Sequence, residues 1–310
     1  MNKLSKYAAC LAAMALLTAA CNKDDSDSSS SSGDPKKPTL AIPNSNTAAR
    51  YDVAQDGGAL DFVEFPANGT FIVGERSMGY VDVKDGKCTP QDNNTYLLEG
   101  WGTVAVKLTE AGDGYLLDVT PNGSSTVTVP VTLKKASMTD GESRKLCNRW
   151  DLKSIRLQMR ILTNRFDREY TQDQQDQMQT EVVDFLKSSI PENIQSAMGV
   201  DFNDIIDINS LIQSDGFYTQ YTLTTLGTLV VKGMNDNRKV GTWAWTDSKK
   251  AAISATLPYE ETFEAKVSYR GEQLCIAPKI KALEDMMGQF GSIAQLAFSW
   301  ELDMYCDKKE

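Results

Sequence analysis

The sequence predicts a mainly β protein with a few helices, and three observations carry that reading. Dipeptides that reverse a hairpin recur along the first half of the chain: Asn68-Gly69, Asp85-Gly86, Asp113-Gly114 and Asn122-Gly123. Runs of alternating apolar and polar residues, the two-residue period of a half-buried strand, occur in both halves. At 310 residues and 41% hydrophobic, the chain is long enough for two cores at roughly 150 residues per domain. The expected architecture is an N-terminal small antiparallel β-sandwich or barrel over residues 42–136. A C-terminal up-and-down β-barrel with a helical insertion is expected over residues 146–306.

Residues 1–20 read as a secretory signal. Lys3 and Lys6 make its positive end, and Tyr7 to Leu17 its apolar stretch, which is shorter than the about 20 residues a membrane-spanning helix needs. Small residues then lead to a cysteine, Thr18-Ala19-Ala20-Cys21. This resembles a bacterial lipobox, although Thr18 stands where leucine is usual and Leu17 lies one place earlier. The resemblance implies that Cys21 is acylated and becomes the mature amino terminus. Residues 21–41 read as a solvated tether, because the acidic and serine-rich run from Asn22 to Asp34 has too little apolar surface to fold. Lys23-Asp24-Asp25 resembles the acidic export signal of surface-exposed lipoproteins from Gram-negative gut anaerobes, with a generic acidic linker as the alternative. The expected location is the outer membrane, lipid-anchored and exposed on the cell surface.

In the N-terminal domain Val104, Val106 and Leu108 share one strand face, with Ala105 and Lys107 on the other. Val127, Val129, Val131 and Leu133 share a face opposite Thr126, Thr128 and Thr132. About six to eight such strands make a small sandwich or barrel, and none of them carries a chemical motif. Ser137 to Ser143 reads as a polar linker.

The C-terminal domain opens with a strand near residues 149–162, followed by helix. Thr171 and Gln174 have capping-box spacing, and Met178, Val182, Phe185 and Leu186 form a stripe that Pro191 ends. A short helix is expected from Pro191 to Met198. Strands follow over residues 208–213, 217–223 and 240–245, over 263–269 and 274–277, and over 295–304. A helix from Lys279 to Phe290 precedes the last of them. Asn148-Arg149-Trp150-Asp151-Leu152, Ser214-Asp215-Gly216-Phe217-Tyr218 and Gly241-Thr242-Trp243-Ala244-Trp245 resemble the lipocalin-like domain of anaerobe lipoproteins. Lipocalins often open with Gly-x-Trp; here Asn148 takes the glycine position, and a Gly-x-Trp occurs later at Gly241. The resemblance covers about half the chain and implies a fold, since a shared fold does not transfer chemistry.

Composition excludes several functions. The net charge is −10, which opposes nucleic-acid binding, and histidine is absent, which removes Ser-His-Asp and Cys-His catalysis and His-ligated metals. No phosphate loop, nucleotide fingerprint or Cys-x-x-Cys is present. Asp201-x-Asn203-x-x-x-Asp207-x-Asn209 offers oxygens but lacks the third ligand and the glycine of a calcium loop. The acid pairs Asp61/Glu64 and Glu260/Glu261 are oddly spaced or adjacent, so on strands their members point to opposite faces. No enzyme, cofactor or metal is expected.

Aromatic residues are the better lead. Phe217, Tyr221, Trp243, Trp245, Phe263, Tyr269 and Trp300 lie on apolar strand faces of a barrel whose interior is either filled or holds one small ligand. The expected function is binding of a small apolar or sugar-like ligand there. The alternative is a non-catalytic structural or assembly partner of an outer-membrane complex. A closed barrel with an even strand number also brings its first and last strands together, which makes Cys147–Cys306 a candidate disulfide.

Overall fold

In a computed structural model, residues 40–41, 43, 47–54, 58–77, 80–190, 192, 218–233, 236–258, 262–279 and 298–309 are described. Cys21, the expected lipidation site, and most of the expected signal and tether residues lie outside them. So do Phe217, the 214–216 turn, the 201–209 oxygen cluster, Glu260/Glu261 and the expected helix at 280–290.

The first half is a closed antiparallel barrel of eight strands. In order they are β1 (Ala49–Val53), β2 (Leu60–Phe65), β3 (Thr70–Ser77), β4 (Tyr80–Pro90), β5 (Thr95–Leu98), β6 (Gly102–Leu108), β7 (Tyr115–Pro121) and β8 (Val127–Lys135). Each strand pairs with the next, and β8 returns to β1 with Tyr51 opposite Leu133. The core is the inward face of that alternation: Tyr51, Val63, Phe71, Val73, Leu98, Val104, Val106 and Leu117. Barrel rather than sandwich is therefore the outcome for this domain. Three of the four expected hairpin dipeptides do turn, but Asp85-Gly86 lies inside β4. Gly86 sits opposite Phe71, and a Cβ there would crowd Phe71 Cε1 at 3.0 Å, so this glycine makes room for a ring.

The second half is also a closed eight-stranded antiparallel barrel, with an additional strand at one seam. It begins with α1 (Gly141–Leu146), capped by Asp140, whose Oδ1 accepts from Ser143 N at 3.0 Å. The polar linker is thus shorter than the sequence suggested and leads directly into this helix. β9 (Arg149–Ile161) follows, then β10 (Asn164–Thr171), a single turn of 3₁₀ helix and α2 (Gln175–Ser189). The capping-box pair holds: Thr171 N donates to Gln174 Oε1 at 3.0 Å, and Met178, Val182, Val183 and Leu186 bury the helix face. β10 itself was not expected, since helix was read directly after residue 162. The reversal uses Leu162-Thr163, with Leu162 at φ 53°, where glycine or asparagine would have signalled a turn.

The barrel continues through β11 (Gln220–Leu223), β12 (Thr228–Lys232), β13 (Arg238–Trp245), β14 (Ala252–Thr256), β15 (Phe263–Arg270), β16 (Gln273–Pro278) and β17 (Phe298–Lys308). β9 is long enough to serve three partners. Its first residues pair with β11, its remainder with β10 on the same side, and its other edge with β17. First and last barrel strands are thus antiparallel neighbours, but the Cys147–Cys306 bridge is not formed. The register sets Cys306 opposite Leu152, and Lys309 N already bonds Arg149 O at 2.9 Å, so the ladder has run past the last strand before it reaches Cys147. Both thiols are free.

The two barrels meet wall to wall. Phe62, Ile72 and Val83 from outside the first pack on Val230 and Val240 from outside the second. Polar groups rim this contact. Arg50 lies 3.7 Å over the Phe62 ring and donates to Thr228 Oγ1 at 3.1 Å; Thr228 Oγ1 in turn donates to Glu64 Oε2 at 2.6 Å. Asp85 pairs with both Arg149, at 3.4 Å, and Arg238. Asp85 therefore serves the seam that joins the domains, which no local pattern announces.

Candidate functional site

Register fixes where the candidate aromatic residues lie along the C-terminal barrel. One end is plugged by α1. Leu146 of α1 is fully buried, Trp150 Nε1 donates to Leu146 O at 2.8 Å, and Trp245 Nε1 donates to Ser143 Oγ at 2.9 Å. Lys145 places its ammonium 3.6 Å from the Tyr269 ring centroid. Trp243 stands against Trp245 edge to face, with centroids 5.6 Å apart, and donates from Nε1 to Thr224 O at 3.1 Å. Three of the seven candidates, Trp243, Trp245 and Tyr269, therefore belong to the packing of this closed end. A tryptophan N–H that is satisfied by the protein's own backbone or serine has nothing left for a ligand.

Tyr221 stands opposite Trp150 on one side and Val231 on the other. It is buried, its hydroxyl accepts from Tyr218 N at 3.1 Å, and it lies 3.5 Å from Met304 Sδ. Burial drives its phenol well above the ordinary tyrosine range, so it stays protonated. Burial likewise pushes the Tyr269 phenol up to about 12, and its oxygen has no hydrogen-bond partner among the described residues.

The opposite end is composed differently. Trp300 lies near the start of β17, opposite Met159, and Phe263 opens β15, across Ala255 from Trp243 in the ladder. Both point to the apolar interior, and both remain half-buried. Phe166 of β10 and Phe185 of α2, 5.2 Å apart, are half-buried at the same end. Sequence reasoning missed this second pair. Phe166 was assigned to no element, and Phe185 was read as one more residue of a helical stripe. Half-buried rings of this kind leave aromatic faces available for stacking.

Among the described residues the thiols are poor nucleophiles. Burial raises the Cys147 and Cys306 thiols to about 12 and Cys88 to about 11, so thiolate is scarce near neutral pH. Among the described residues no cluster of three metal-ligating side chains occurs. Of the acid pair Asp61/Glu64, Asp61 is bonded by Arg76 Nε at 2.8 Å and Glu64 is sealed in the seam between barrels. Burial raises the Glu64 carboxyl above its ordinary range despite Thr224, Thr228 and Arg50. No family model, curated protein or solved structure matches this chain.

Proposed function

We propose that the chain is a lipid-anchored, non-catalytic binding module of the outer-membrane surface. Its lipocalin-like C-terminal barrel takes a small apolar or sugar-like ligand at the end remote from α1. One observation carries the ligand half of this reading: Phe166, Phe185, Phe263 and Trp300 are left half-buried where the strands face away from the α1 plug. The anchor half rests on the signal-like amino end and Cys21.

The test is native mass spectrometry of the protein purified from its own membranes, followed by titration with an apolar fluorescent probe. One ligand per chain is expected, with uptake lost in Phe263→Ala and Trp300→Ala and retained in Trp245→Phe. Uptake indifferent to Phe263 and Trp300 sinks the reading. The alternative, a structural or assembly partner, is favoured by the seam, whose apolar contact and ion pairs join two barrels into a spacer. Cross-linking to one outer-membrane protein, with no ligand recovered, would select it.

A further inference from the structure

The β9–β10 hairpin projects from the ligand end and carries an arrangement that stability does not explain. Arg160 and Arg165 sit directly opposite each other across the ladder, both exposed. Like charges facing one another on a sheet are destabilising. Neither arginine has an acidic partner among the described residues. The nearby Asp167 is held by Arg156 at 2.7 Å through both carboxylate oxygens, and Glu301 on β17 stands opposite Gln158 without pairing to either arginine. Between the two arginines the turn residue Leu162 is 51% exposed at φ 53°, a conformation unfavourable for a bulky side chain. Arg160 Nε donates to Leu162 O at 3.1 Å, which holds one guanidinium against the turn.

We infer that this hairpin tip docks on an anionic phospholipid surface, Leu162 entering the headgroup–acyl boundary while Arg160 and Arg165 bind lipid phosphates. The argument is charge complementarity: in a chain of net charge −10, two unpaired facing cations flank an exposed apolar side chain. An apolar wedge between cations is what an interfacial contact requires. Docking would set the Phe263–Trp300 end of the barrel at the lipid, so the inference extends the ligand reading to a membrane-derived apolar molecule.

The experiment uses the lipidated protein on vesicles, with a polarity-sensitive fluorophore at Leu162→Cys and, as control, at Asp92→Cys on the other barrel. Only the Leu162 label should be quenched by a lipid-phase quencher, and only on phosphatidylglycerol vesicles. Quenching should vanish on phosphatidylcholine and at about 1 M NaCl, where the screening length is roughly 3 Å. Arg160→Glu with Arg165→Glu should cut the immersed fraction roughly tenfold or more. Quenching that ignores lipid charge, or a label that stays in water on every vesicle, overturns the docking. A label dry only on intact cells makes the tip a protein contact and also overturns it. Failure of the anchor reading shows separately as loss of flotation with neutral vesicles. Failure of the pocket reading shows as probe uptake that Trp300→Ala leaves intact.

Discussion

At the α1 end of the C-terminal barrel Trp243 is 2% exposed and bonded to Thr224 O, Trp150 is bonded to Leu146 O, and Lys145 covers Tyr269. Phe263 at the start of β15 and Trp300 near the start of β17 keep part of their surface open, and the β9–β10 hairpin tip carries two arginines without acidic partners among the described residues. The α1 end is also gripped by the first barrel, through Glu64 and Arg50 on Thr228 and Asp85 on Arg149. Aromatic side chains of one type thus do two jobs. Trp150 and Trp243 are enclosed with their N–H groups satisfied. Trp245 and Tyr269 are half-buried like Phe263 and Trp300, but α1 holds them through Ser143 and Lys145, a hold that Phe263 and Trp300 lack among the described residues.

The contrast can be broken by substitution. Trp243→Ala should cost about 3–5 kcal/mol, because it opens a cavity and strands the Thr224 carbonyl. Chemical denaturation read by far-UV circular dichroism measures this. A loss below about 1 kcal/mol would mean the α1 end is not the tight one.

Asp85→Asn should cost about 3 kcal/mol, since Arg149 and Arg238 would then face each other in the seam without their shared carboxylate. Two separate unfolding transitions, one per barrel, are expected in calorimetry of this variant. A single transition at the wild-type temperature counts against the seam as a structural joint.

Glu64 sharpens the comparison through pH. Its folded carboxyl pKa is raised by burial, so the docked state favours the protonated acid. That contribution is full below the ordinary glutamate pKa and is lost as pH rises through the folded value. Arg50, Asp52 and Cys147 are the other titratable groups that interact with it. Glu64→Gln should match the wild type near pH 4 and exceed it in stability near neutrality, in denaturant titrations run at both pH values. A wild type that gains on the variant as pH rises would reverse the assignment.

The smallest stability change is expected at the open end. Trp300→Ala should cost about 2 kcal/mol, less than Trp243→Ala, because part of the ring is already in water. A loss comparable with that of Trp243→Ala would make Trp300 a core residue and remove it from the ligand site.

Much of this molecule follows from local pattern. Val104-Val106-Leu108 and Phe263-Ala265-Val267-Tyr269 alternate because a strand sends neighbours to opposite faces, and both runs do line barrel interiors. The α2 stripe and its Thr171–Gln174 start are equally local, as are the turns at Asn68-Gly69, Asp113-Gly114 and Asn122-Gly123. β10 escaped because its turn is Leu162-Thr163, which has no signal in a single sequence. β12 and β14 escaped because they are five-residue strands without a distinguishing turn between recognisable neighbours.

The sequence by itself determined the strongly alternating strands with their inward and outward faces, the absence of histidine chemistry and, for a closed even-stranded barrel, the adjacency of first and last strands. Each depends on residues within a few positions of one another or on closure of an even-stranded ring. Only the tertiary structure decided which aromatic residues are plugged and which are open, because that depends on α1 folding back under the barrel. It also decided that Gly241 of the Gly-x-Trp run lies against Thr256 O, where no Cβ fits, and that Asp85 and Glu64 belong to a seam. The register of β9 against β17 kept Cys147 and Cys306 apart. Contacts of this kind join residues tens to more than a hundred positions apart, and their energies depend on register and burial, which no local period encodes.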